Sequence, residues 1–177
     1  YETRITTPIT IDGKDIYYTN TALPIINTQL LTINYYDNYA FDLDGLTVPG
    51  SVYGATVSTP SSGMLTGMLT GTKARVMENV LTNTWNTNLN AYDNRARTIF
   101  ANTQNRYTGY TQQNEFQLDF TGKAIETKTT HTKGSSPSVV VIDQMTYDAA
   151  GRLTAQGEKI NNQATERIGA NTYNELG

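Results

Sequence analysis

The residues of this chain that could do chemistry are few and scattered. His131 is the only histidine and there is no cysteine. A zinc site built from His and Cys ligands therefore cannot be assembled within one chain. His131 stands in a threonine-rich run, 127–132, and reads as a solvated or hydrogen-bonded strand residue. Asp42 and Asp44, in Asp42-Leu43-Asp44-Gly45, resemble half of a calcium loop. The further oxygen ligands and the distal Glu are missing, which favours a turn-stabilising role. Ser135, Ser136 and Ser138 flank Pro137 without a plausible His base beside them, and no nucleophile elbow, Walker loop or dinucleotide fingerprint is present. Asp37, Asp93, Asp119 and Asp148 recur in register. A catalytic carboxylate pair needs unlike environments, so equivalent carboxylates point to turns. By the same logic Arg97, Lys123 and Arg152 read as cross-strand partners or solvated strand ends. No catalytic residue, metal or cofactor is expected. The remaining candidates are aromatic: Tyr36, Trp85, Tyr107 and Tyr110 would stack on a glycan if they face outward, whereas the competing reading makes them packing residues of a sheet.

The elements that would position these residues are β-strands. The chain has 177 residues, with 30 Thr, 17 Asn, 12 Tyr and 14 Gly, and charged residues make up only 16%. Thr and Tyr suit a pleated, half-buried surface, and Asn and Gly suit the turns between strands. β-type runs lie at 3–11, 15–19, 30–37, 72–77, 123–132, 138–147 and 152–155. Turn signals separate them at Asp12-Gly13, Asp44-Gly45, Thr121-Gly122, Ala150-Gly151 and Asn161-Asn162. The best helical window, 73–81, has a poor apolar stripe. Residues 41–63 carry loop chemistry, an insertion or boundary, so the chain divides into 1–62, degenerate repeats with that loop-rich segment, and 63–177, regular repeats. The net charge is −3 and the sequence pI about 5.1, which leaves no basic excess for nucleic acid. No run of about 18 apolar residues is present to span a membrane as a helix.

One short unit recurs. Its clearest copy is Tyr147-Asp148-Ala149-Ala150-Gly151-Arg152-Leu153. A second, Leu118-Asp119-Phe120-Thr121-Gly122-Lys123, has Leu in the Tyr place. A third, Tyr92-Asp93-Asn94-Arg95-Ala96-Arg97, has Ala in the Gly place, and a fourth runs from Tyr173 to Gly177. The first positions are 26, 29 and 26 residues apart. Tyr36-Asp37-Asn38-Tyr39-Ala40 fits the frame 56 residues before Tyr92, as two steps whose intermediate copy, near residue 64, is unrecognisable. Ile9 to Lys14 is a weaker echo. Mechanically, a strand ends in Tyr-Asp, two residues turn, Gly supplies the positive-φ position, and a basic and an aliphatic residue open the return strand. Turns with Ala96 or Ala40 in the Gly place should differ in geometry. Each unit is a hairpin that cannot bury an apolar face alone, so stacked units form one sheet.

This pattern resembles the YD-repeat, or Rhs-repeat, family. The residues that carry the resemblance are Tyr147–Leu153, Leu118–Ile125, Tyr92–Arg97 and Tyr173–Gly177. It implies an all-β fold: an open, twisted antiparallel sheet of stacked hairpins, a segment of a spiral shell. It also implies a non-enzymatic scaffold in a large secreted or cell-surface protein, where repeats enclose or present a C-terminal effector. The chain carries neither the self-cleaving core nor the toxin domain of that family. The partners implied are neighbouring repeats of the same protein; the alternative is a carbohydrate-binding or adhesion module. The strand 165–173 is expected to offer an open edge, with edge-to-edge self-association.

Overall fold

The computed structural model describes residues 2–22, 29–77 and 83–174. Strands make up 53% of these residues. One 3-10 turn, Pro60–Ser62, accompanies them, and no α-helix is found among them. β1 (Arg4–Ile11) and β2 (Lys14–Tyr18) form a separate antiparallel hairpin. The remaining long strands are β3 (Thr32–Tyr36), β6 (Leu69–Arg75), β7 (Trp85–Tyr92), β8 (Thr98–Asn105), β9 (Tyr110–Leu118), β10 (Ala124–Lys133), β11 (Val139–Tyr147), β12 (Leu153–Ile160) and β13 (Glu166–Ala170). They build one open, nine-stranded antiparallel sheet in the order β13-β12-β11-β10-β9-β8-β7-β6-β3. Between β3 and β6 the chain leaves the sheet and forms a small hairpin, β4 (Ser51–Val52) with β5 (Ala55–Thr56). The division expected at residue 62 therefore does not divide the sheet, because β3 pairs with β6 across it. Lys73–Arg75, the start of the helical window, lie in β6.

Period-two alternation explains the long strands. In β7, Trp85, Thr87, Leu89 and Ala91 are buried and alternate with half-buried Asn86, Asn88 and Asn90. A polar row crosses the opposite face in register: Asn34, Thr72, Asn88, Thr103, Gln112 and His131. The buried face of β3, β6, β7 and β8 is covered by the β1–β2 hairpin and by the segment between β3 and β6. Ile16, Phe41, Leu46, Val52 and Val57 pack there against Ile33, Tyr35, Trp85, Leu89, Ile99 and Phe100. Phe41 stacks on Tyr35 at 4.5 Å, and Tyr35 stacks on Tyr18 at 5.6 Å. Gly71 makes room for this stack, since a Cβ there would stand 2.1 Å from the Phe41 ring.

The cover thins past β8, where Leu118 of β9 packs against the core and the Tyr53 hydroxyl donates to Glu126 of β10 at 2.8 Å. From residue 103 to 174 no residue is buried, and β11 to β13 form a single layer. The composition of β9 to β13 suits that exposure. The face continuous with the core carries Gln113, Glu115, Lys128 and Lys159, with Thr130, Val140 and Ile142 among them.

Candidate functional site: the turn ladder

Three turns along one end of the sheet share a hydrogen-bond scheme. The Asp93 N–H donates to the Arg97 carbonyl (2.9 Å), the Asp119 N–H to Lys123 (2.8 Å) and the Asp148 N–H to Arg152 (2.9 Å). The N–H in the Gly place returns to the Asp carbonyl: from Ala96 at 3.1 Å, Gly122 at 3.2 Å and Gly151 at 2.8 Å. The Asp carboxylate accepts the N–H of the basic residue at 3.0, 2.9 and 2.8 Å respectively. An Asp is needed because only a short acceptor side chain reaches back over its own turn. Gly122 and Gly151 take φ of 96° and 77°, and Ala96 takes 58°. The Ala96 turn therefore does not differ in geometry, contrary to expectation: its hydrogen bonds hold an L-residue in the left-handed region. The Asp93 guanidinium partner closes the scheme, with Arg97 Nε donating to Oδ2 at 2.8 Å, and Arg152 Nε does the same to Asp148 at 2.7 Å.

These bonds set the carboxyl acidities. Burial alone would raise the Asp93 carboxyl, but the Arg97 side chain and the N–H groups of Arg97 and Arg95 outweigh it and hold it below its ordinary value. The Thr121 hydroxyl and then backbone N–H groups lower Asp119. The Arg152 N–H and guanidinium lower Asp148.

Successive turns are clasped by side chains, in both directions between the turns at Leu118 and Tyr147. Backward, Tyr147 Oη donates to the Ala124 carbonyl (2.9 Å) and Tyr173 Oη to the Leu153 carbonyl (2.7 Å). Forward, Arg97 donates to the Asp119 carbonyl (2.8 Å) and Lys123 to the Gly151 carbonyl (2.9 Å). Lys123 and Arg152 also lie over the rings of Tyr147 and Tyr173, at 5.4 and 4.4 Å from the centroids, where a cation meets the negative face of the ring. Leu118, in the Tyr place, has no hydroxyl and contributes only packing. Gly177 lies outside the described residues.

A further turn shares part of this scheme but is split in the sequence, and its Asp37 takes φ 70°, unlike Asp93, Asp119 and Asp148. The Asp37 N–H donates to the Met68 carbonyl (3.2 Å), the Asp37 carboxylate accepts the Gly67 N–H (2.6 Å), and Gly67 has φ 75°. Tyr92 Oη donates to the Leu69 carbonyl (2.7 Å), two residues past Gly67, as Ala124 and Leu153 stand two past Gly122 and Gly151. The pairing register shifts beside the first position each time, leaving Thr70, Ile99, Ile125 and Thr154 as the extra residue of a bulge. Each is the third residue after the Gly place. Gly67, not Ala40, therefore occupies the Gly place of the Tyr36 copy, and no copy stands near residue 64. In the regular turns the Gly place follows Asp by 3 residues and here by 30, an insertion of 27 that leaves a Tyr36-to-Tyr92 step of 29. Asp12-Gly13 is a different turn, a two-residue link between Ile11 and Lys14 outside the large sheet.

Asp42 and Asp44 fasten this insert to the sheet. Lys73, whose side chain is 0% exposed, lies 2.5 Å from Asp44 Oδ2 and 3.2 Å from Asp42 Oδ2. Lys14 lies 2.5 Å from Asp42 and 3.3 Å from Asp44, and Thr87 Oγ1 donates to Asp44. Asp42 also accepts the Asp44 N–H at 3.0 Å, the turn role expected of it. Burial would raise the Asp42 carboxyl, but Lys14, the Asp44 N–H and Lys73 hold it well below the carboxylate range. Burial pushes the Lys73 ammonium down, against the pull of Asp44. The oxygens a calcium ion would need are thus taken by lysines. Among the described residues no cluster of His, Cys, Asp or Glu is arranged to hold a metal.

The aromatic candidates do not converge. Trp85 is 2% exposed, inside the core, with Nε1 donating to Asn83 at 2.5 Å. It cannot stack on a glycan, because the β1–β2 hairpin and the insert cover its face of β7. Tyr36 is exposed on edge strand β3 beside the split turn. Tyr107 is exposed, and Tyr110 half-buried, at the opposite end of the strands in the β8–β9 turn. Tyr110 stacks on His131 and shares a hydrogen bond with its Nδ1. Sequence reading missed Gly67, Lys14, Lys73 and Tyr18. Gly67 alone left a signal: a Gly followed two residues later by an aliphatic residue, in frame with Tyr92. No family model, curated protein or solved structure matches this chain.

Proposed function

We propose that the chain is a non-enzymatic structural scaffold: a stretch of YD-type repeat sheet from a large secreted or cell-surface protein, serving as shell or stalk around a C-terminal effector. The observation that carries this reading is the two-way clasp between turns. Neighbouring turns are joined at backbone carbonyls by a tyrosine running backward (Tyr92, Tyr147, Tyr173) or a basic side chain running forward (Arg97, Lys123), and by both between the turns at Leu118 and Tyr147. Such a device has value only where hairpins follow one another, since it adds neither cavity nor reactive group to any one of them. A curved, spiral continuation of the sheet belongs to the same proposal. The glycan-binding alternative draws no comparable support from four aromatic residues of which one is buried and three stand at opposite ends of the strands.

The test is to lengthen the chain beyond β13 by one and by two Tyr-Asp-x-x-Gly hairpins. Adjacent strands are about 4.8 Å apart, so small-angle scattering should record an increase of about 10 Å in the sheet direction per hairpin, with a matching gain in β circular dichroism. Added hairpins that stay unstructured would overturn the scaffold reading.

A further inference from the structure

The sheet has two edges, β3 and β13, and they differ in how far their outward backbone carbonyls are taken. The Leu31 carbonyl accepts the Arg75 N–H (2.8 Å), so the backbones of residues 31, 33 and 35 face β6. Alternation turns those of Thr32, Asn34 and Tyr36 outward. An outward row of this kind normally invites another strand. Here the Asn34 carbonyl already accepts the Tyr18 hydroxyl at 2.8 Å. The Tyr36 carbonyl accepts the Asn38 N–H at 2.9 Å. One phenol from β2 thus occupies an acceptor that an added strand would need.

Tyr18 is held firmly in that position. Its ring is stacked on Tyr35 with 11° between planes, and the Arg4 guanidinium lies 5.2 Å from its centroid. Arg4 is in turn tied to the insert through Asn38 Oδ1 (2.5 Å) and the Ala40 carbonyl (3.2 Å). β13, by contrast, pairs only with β12, and all its residues but Gly169 are exposed. β13 is also the strand that leads to Tyr173. In this molecule the strands that end at the first position of a turn, β7, β9 and β11, each pair downstream with the return strand of that turn.

We propose that the sheet assembles in one direction only: the Tyr18 hydroxyl closes β3 to strand addition, while β13 receives the antiparallel return strand of a further Tyr-Asp-x-x-Gly hairpin. This deepens the scaffold reading by naming the acceptor edge and the chemistry of its partner, a strand opening with glycine, a basic residue and an aliphatic one. An apolar groove of about 440 Å³, lined by Ile11, Ile16, Tyr18, Leu30, Ile33 and Tyr36, runs beside β3. It is the place where a strand would dock if the closure failed.

The probe is a synthetic peptide of residues 151–160 carrying a photo-crosslinker, mixed with the intact chain. Crosslinks should map to Glu166–Ala170 at least ten-fold over Thr32–Tyr36. In Tyr18→Phe, which keeps the ring stack and loses the hydroxyl, both edges should be labelled. Labelling of β3 in the unaltered chain, absence of labelling at β13, or no change in Tyr18→Phe would each overturn the proposal. Fluorescence of buried Trp85 reports whether the variant is folded. If it is not, labelling of the unaltered chain decides: crosslinks at β13 and none at β3 support the closure, and crosslinks at β3 overturn it. A covalently added hairpin could still extend the sheet after any of these failures, so the scaffold reading stands or falls separately.

Discussion

The sheet from β3 to β8 and the sheet from β9 to β13 share one turn design and differ in nearly everything that normally stabilises a protein. The first half has a second layer, with Leu89 at 0% exposure, stacked Tyr35 and Phe41, and the lysine–aspartate cluster around Lys73. The second has none of these, and no residue of it is buried. Its order comes from backbone pairing to neighbours and from the clasps between turns. Burial supplies stability locally, whereas a ladder supplies it only through adjacent units. The first half is therefore expected to behave as a cooperative domain and the second to depend on it for nucleation.

The largest expected effect is in the ion pairs. Asp44→Ala leaves the fully buried Lys73 without its nearest carboxylate and should cost about 3–5 kcal/mol in denaturant unfolding. Glu115→Ala breaks the partly exposed pair with Lys128 (3.0 Å) in the bare half and should cost under about 1 kcal/mol. Equal losses would break the comparison. Leu89→Ala should cost about 3 kcal/mol by leaving a cavity, against about 1 kcal/mol for half-buried Ile142→Ala.

Gly71→Ala should cost about 2 kcal/mol by overpacking against Phe41, and proteolysis between Asp37 and Gly67 should quicken while β9–β13 stay intact. At the turns, Gly151→Val places a β-branched residue at φ 77° and should cost about 1–2 kcal/mol more than Ala149→Val, read as a difference in melting temperature. Ala96→Gly should do the reverse and gain up to about 1 kcal/mol, because it relieves the left-handed alanine. A loss on Ala96→Gly would mean that packing, not backbone conformation, chose the alanine.

The smallest contrast appears only in acid. Asp42, Asp93, Asp119 and Asp148 all have folded-state carboxyls held below their ordinary values. Their stabilisation is present above the unfolded pKa of about 3.9 and is lost as pH falls through the lower folded values. The melting temperature should therefore drop as pH falls below about 4. Asp93→Asn, at a site 2% exposed, should flatten that limb, whereas Asp148→Asn, screened by water, should barely alter it.

Much of the ladder was legible in the residues. Tyr-Asp-x-x-Gly at a steady step predicts hairpins because the Asp acceptor and the positive-φ Gly are local requirements, met within five residues. The Ala96 turn was misread because the surrounding hydrogen bonds, not the residue's own preference, decide its φ. The split turn was misread because Asp37 and Gly67 are neighbours only in space. Trp85 looked available to a ligand for a related reason: strand alternation says that it shares a face with Leu89, but not that a distant hairpin covers that face.

By itself, then, the sequence determined the all-β class, the repeated turns and the polar alternation, all of which depend on contacts within a few residues of the chain. Only the tertiary structure decided which half of the sheet is covered, that Lys73 is buried between Asp42 and Asp44, and that Tyr18 sits on the edge of β3. Those depend on where a 27-residue insert and a separate hairpin fold back. Loop-closure entropy grows only slowly with length, so local patterning says little about where a long segment returns, and packing against the sheet makes the choice.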